Sequence, residues 1–178
     1  GELSDLACLS LHETKNIVAG EGGAFLSSDP EIIQRAEVIR EKGTNRKQFL
    51  RGQVDKYSWV DIGSSYLPSE LNAAVLLAQL EAHKEILARR MSIWNAYHAG
   101  LVDLEKKGKL RRPIIPAECE HNAHMYYILL PTEEIRNHLL KTLNSNGVQA
   151  TFHYVPLHST GPGRKYGRTF GSLKNTDE

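Results

Sequence analysis

The sequence predicts an α/β fold, and three observations carry that prediction. Two short apolar runs, residues 3–11 and 23–27, flank a glycine-bearing turn, as a pair of buried strands would. Stretches with apolar residues three and four apart follow, two of them behind a helix-start signal, at Asp29-Pro30 and Pro68-Ser69. Finally, residues 125–130, 133–144 and 148–154 read in turn as strand, helix and strand, with Gly147 stopping the helix.

The first helix starts at Asp29-Pro30. The aspartate can accept from free N–H groups, and proline at the first turn loses a donor that has no partner there anyway. Ile32, Ile33, Ala36 and Ile39 form its buried stripe, and Gly43 ends it. Residues 42–65 are polar, aromatic and without a clear period, which reads as a long functional loop. Pro68-Ser69 opens a second helix whose residues 73–80 are apolar almost all round, so the rest of the fold or a second subunit should cover it. Leu87, Met91, Trp94, Tyr97, Leu101 and Leu104 predict one long amphipathic helix ending near Gly108.

Composition narrows the function classes. The formal charge of +1 gives no global field for nucleic acid or an anionic surface. No apolar run approaches the ~20 residues of a spanning helix, so no membrane partner is expected. Cys8 and Cys119 give no disulfide framework and fit a reducing compartment, hence a cytoplasmic location.

The chemistry concentrates in Ser10-Leu11-His12-Glu13-Thr14-Lys15-Asn16 followed by Gly20-Glu21-Gly22-Gly23-Ala24. A lysine fixed at a strand end beside glycines suits a Schiff base to a carbonyl cofactor, whereas a turn lysine without such surroundings is a solvated charge. These segments resemble the lysine segment of the DegT/DnrJ/StrS family of pyridoxal-phosphate (PLP) aminotransferases. The likeness continues through residues 41–46, 51–57, 61–66, 78–81, 122–125 and 152–158, nearly end to end.

The resemblance implies a fold-type-I, aspartate aminotransferase-like architecture. Residues 1–88 would be the end of the large α/β/α domain and 89–178 an α+β small domain, in a homodimer with shared active sites. It also implies a fragment that lacks the N-terminal part of the family and its extreme C-terminus, with the phosphate cradle and the partner of the pyridine nitrogen in the missing part. The implied reaction moves an amino group, with glutamate as donor, to the 4-keto carbon of dTDP-4-keto-6-deoxyglucose, in deoxyamino-sugar synthesis for cell-surface polysaccharide such as lipopolysaccharide or enterobacterial common antigen.

By the same resemblance Lys15 is the covalent anchor and proton carrier, and Ser10 is a ligand of the cofactor phosphate; a plain strand-end serine is the other reading. His12 ranks second, and Asn16 reads as turn geometry. Ser65 stands where many members carry an asparagine that reaches the neighbouring subunit's phosphate, and Leu67 stands where they carry arginine, so the contact is shortened and the arginine is lost. Arg46 and Arg51 are candidates for the substrate diphosphate, against a solvated face. His153, Tyr154 and His158 match the small-domain wall of the substrate cleft. Cys119, His121 and His124 have too few neighbouring ligands for zinc, so no metal is expected. Two other classes stay open: a PLP-fold sensor without turnover, and a metal-stabilised or basic binding module.

Overall fold

The computed structural model describes residues 4–177. Leu3, in the first predicted strand, lies outside the described residues. Two compact units emerge, one from residues up to 102 with Arg112–Tyr127, the other from Asp103–Arg111 with residues from 128 on. The predicted division at residue 88 falls inside a helix, His83–Gly100, that belongs to the first unit throughout.

In the first unit, β1 (Leu6–Ser10) pairs antiparallel with β2 (Gly23–Ser27), in a register that sets Leu6 opposite Ser27 and Ser10 opposite Gly23. The intervening residues 11–22 therefore form the connection of a hairpin, with Lys15 inside it. Helix α1 (Pro30–Arg40) begins as the sequence predicts: the Asp29 carboxylate accepts from the N–H groups of Glu31 at 2.8 Å and Ile32 at 3.4 Å. It packs against β2.

Residues 42–65 are not a structureless loop. They contain a short helix, α2 (Arg46–Leu50), and an isolated antiparallel bridge of Thr44 with Trp59, and a second bridge, Glu41 with Ser65, closes the segment at its base. Helix α3 (Glu70–Glu81) is capped by Ser69, whose hydroxyl accepts from Asn72 N at 3.2 Å. Most of its apolar side chains are open in this chain, Leu71 being 79% exposed and Leu77 59%, while Leu76 is half-buried. The predicted long helix is two: α4 (His83–Gly100) and α5 (Val102–Lys106), parted at Leu101. The break falls just after Gly100, while Leu101 and Leu104 continue the apolar stripe across it. Trp94 of α4 is the aromatic centre of the unit, with ring centroids of His98, His121 and Tyr126 at 4.6, 4.5 and 5.3 Å.

The second unit holds α6 (Glu133–Ser145), capped by the Thr132 hydroxyl at 3.3 Å from Ile135 N, then a turn of 3-10 helix (Leu157–Ser159), α7 (Gly161–Tyr166) and α8 (Lys174–Asp177). The strands predicted at 125–130 and 148–154 do not form among the described residues. Only the single bridge of Leu129 with Arg111 appears there. A strand exists by its ladder, and an apolar run specifies the strand-like residues without specifying a partner.

Candidate active site

The lysine turn is built from its base upward. Beyond the Ser10–Gly23 pair, the hairpin continues through Leu11 N to Gly22 O at 2.9 Å and Glu13 N to Gly20 O at 3.0 Å, while Lys15 N closes a tight turn onto His12 O at 2.9 Å. Within the turn, His12 Nδ1 accepts from Thr14 N at 3.3 Å and lies 3.1 Å from the Thr14 hydroxyl. His12 Nε2 faces Glu21 Oε1 at 3.7 Å, beyond hydrogen-bond distance. His12 thus fills the turn.

Lys15 is half-buried, and among the described residues its Nζ has no recorded ion pair or hydrogen bond. Ser10, five residues earlier, ends β1 with an exposed side chain whose Oγ is 3.5 Å from His12 N. At Gly23 a Cβ would stand 2.9 Å from Leu9 O, closer than side chains tolerate. Two side chains from elsewhere hold the turn. Asn72 of α3 donates to Glu21 O at 3.2 Å, and Asn16 donates to Asn122 O at 2.5 Å and accepts from His124 Nδ1 at 3.0 Å. Beside the turn is a cavity of 260 Å³ walled by Leu11, Ala19, Gly22, Pro68, Leu76 and Leu80 among others. Its aliphatic lining suits packing rather than phosphate.

Ser65 is exposed and bridged to Glu41. Arg46 donates to Glu41 Oε1 at 2.6 Å, and Arg51 grips Glu37 with two bonds, at 2.9 and 2.7 Å. These bonds raise the pKa of both guanidinium groups, and the Arg51 bond holds the Glu37 carboxyl below its usual value against the opposing effect of burial. Both arginines thus have carboxylate partners and are not merely solvated. Glu41 itself is buried, and its second oxygen, Oε2, has no hydrogen-bond partner.

In the second unit, the rings of His153 and Tyr154 are 5.8 Å apart, with Tyr154 86% exposed, and His158 Nε2 is 2.8 Å from Asp177 Oδ1. His121 packs on Trp94 and His124 bonds to Asn16, and no cluster of metal-binding side chains occurs among the described residues. The reading of residues missed Asn72 and gave Asn16 and His124 no partner. Their contacts span 51 and 108 positions, which no local pattern reveals.

The donor set fits PLP at the groups this chain can offer: an amine in a half-buried turn and a hydroxyl at the adjoining strand end. The fold agrees with solved structures. The aminotransferase TlmJ from Streptoalloteichus hindustanus superposes with a TM-score of 0.82 at 27% identity, covering 99% of this chain and 44% of that one. S. venezuelae DesV gives 0.79 at 26% identity, covering 97% and 43%. The architecture is that of the fold-type-I, PLP-dependent transferases. A model of the DegT/DnrJ/EryC1/StrS aminotransferase family matches residues 1–178, and the chain belongs to that family, whose cofactor is PLP. Among curated relatives, dTDP-4-dehydro-2,3,6-trideoxy-D-glucose 4-aminotransferase of Saccharopolyspora spinosa is 28% identical over 163 residues, 89% of this chain. The chain spans less than half the length of the curated relatives it matches, 45% of one and 42% of another.

Proposed function

We propose that the whole protein carrying this chain is a PLP-dependent sugar aminotransferase that takes an amino group from glutamate to the 4-keto carbon of dTDP-4-keto-6-deoxyglucose, the reaction of dTDP-4-amino-4,6-dideoxygalactose transaminase. The observation that carries the reading is the hairpin-borne Lys15 in a chain matched throughout by the family model. The name of the Saccharopolyspora relative, a 4-aminotransferase of a dTDP-linked deoxyhexose, supports the substrate class.

PLP, when bound, supplies the electron sink. Lys15 would hold it covalently, and its amine would serve as the proton carrier. Ser10 holds the phosphate through its hydroxyl, and Ser65 reaches the partner's phosphate in a homodimer with shared sites. Arg46 is the stronger candidate for the diphosphate: it spends one N–H donor group on Glu41, whereas Arg51 commits both terminal nitrogens to Glu37. His153, Tyr154 and His158 bind sugar or donor carboxylate, and the enzyme works in the cytoplasm.

Mass spectrometry of the products made by the full-length enzyme from dTDP-4-keto-6-deoxyglucose and glutamate tests the reading. The 4-amino sugar and 2-oxoglutarate are expected in equal amounts. A bound cofactor with no amino sugar formed would favour the sensor.

A further inference from the structure

We propose that Asn16 and His124 are positioning residues, tying the turn that carries Lys15 to the segment 121–124 so that the amine is presented in one orientation. The inference rests on the reading of Lys15 as the cofactor anchor.

The backbone bonds of the turn close within residues 11–22 and so fix its own shape. Asn16 ties it to a distant segment. It follows Lys15 directly, and one amide makes both long-range bonds, donating to Asn122 O at 2.5 Å and accepting from His124 Nδ1 at 3.0 Å. Two bonds in different directions fix the side chain's rotation as well as its distance. Because the backbone of Asn16 is also that of Lys15's neighbour, the restraint reaches the lysine Cα through a single peptide plane.

The receiving segment is itself rigid. Ala123 is buried with φ +49°, a left-handed conformation rarely taken by alanine, and its N–H bonds to His121 Nδ1 at 3.3 Å. The His121 ring lies against Trp94, which is buried, and Arg90 of α4 donates to His124 O at 3.0 Å. This sharp turn brings the Asn122 carbonyl and the His124 ring toward one partner. Strain retained where a site needs fixed geometry is the pattern seen at functional turns.

The test uses the full-length protein and two readouts. In the apoprotein, urea unfolding of Asn16→Ala, His124→Phe and the double variant should give non-additive losses, since one contact is removed by either change. With PLP added, the rate at which borohydride traps label on Lys15 should fall roughly tenfold to a hundredfold in each single variant, because misplacing a reacting group by about 1 Å costs on that order. His124→Asn, which keeps a donor near the Nδ1 position, should restore the rate. If Asn16→Ala fails to fold, Asn16→Asp, which keeps the acceptor and loses the donor, should trap label at an intermediate rate.

Additive losses would overturn the tether. Coupled losses with unchanged trapping would show a brace for the fold alone, and would overturn the positioning role. Label on another lysine in the wild type would instead overturn the reading of Lys15, while the apoprotein coupling would stand, so the two failures are separable.

Discussion

The turn at 11–22 and the loop at 42–65 are both polar, glycine-bearing connections, yet they are held in opposite ways. The lysine turn gains its outside restraints from residues 51 to 108 positions away, through asparagine and histidine side chains. The longer loop is tied almost wholly to its own neighbours. Gly43 O accepts from Val60 and Asp61, Asn45 spans to Lys56 O and Ser58 N, and Arg35, Arg46 and Arg51 pair with Asp61, Glu41 and Glu37. Local ties make a platform that is set as soon as its own residues meet. Distant ties make the placement of Lys15 depend on the folding of the whole unit.

The sharpest way to separate the two is Lys15→Ala. It removes the anchor and the proton carrier together, so transamination by the full-length enzyme should fall to background while the urea midpoint stays within error. A large loss of stability would mean that the lysine is structural.

Gly43→Ala tests the platform. Gly43 has φ +74°, and a Cβ there would stand 1.9 Å from Asp61 O. The left-handed conformation alone costs about 1–3 kcal/mol for a residue with a side chain, and the clash adds to it. Urea unfolding should show at least that loss, accompanied by faster proteolysis within residues 42–65. Unchanged cleavage there would contradict a loop pinned at this glycine.

A smaller effect distinguishes the two arginines. If Arg46 meets the diphosphate, Arg46→Ala should raise KM for the nucleotide sugar about tenfold and leave the half-reaction with glutamate near normal, as loss of a charge-assisted bond does. Arg51→Ala should change KM less, because its donors are committed to Glu37. Equal effects on both half-reactions would remove the clamp from the account.

The smallest effect is in acid. The Arg51 bond holds the folded-state pKa of Glu37 below its ordinary value of 4.5. The pair's contribution is therefore fully present above pH 4.5 and is lost as pH falls through the folded-state value. Glu37→Gln should lower stability slightly at neutral pH and flatten its decline below 4.5. An identical acid profile would show that solvent screens the pair completely.

How much of this was legible follows the same contrast. Asp29 and Ser69 mark helix starts because a cap acts within three residues, and α1 and α3 begin where they indicate. The hairpin was legible from its two apolar runs and the glycines between them. The short helix α2 and the parting of α4 from α5 were not, although Gly52 follows the first and Gly100 ends α4: five residues show no period, and a single glycine inside an apolar stripe does not fix a break. At 125–130 and 148–154 the residues favour strands but the ladder partners are set by tertiary structure. In the site, Lys15 and Ser10 were legible through a motif within one hairpin. The Asn16–His124 bond was not, because 108 residues separate two side chains that are ordinary in their own surroundings.

The most direct test of Lys15 as the anchor is borohydride reduction of the full-length protein with PLP bound, followed by peptide mapping. A pyridoxyl group on Lys15, in stoichiometric amount, is the expected result. A group on any other lysine, or none in a protein that holds PLP, would contradict it.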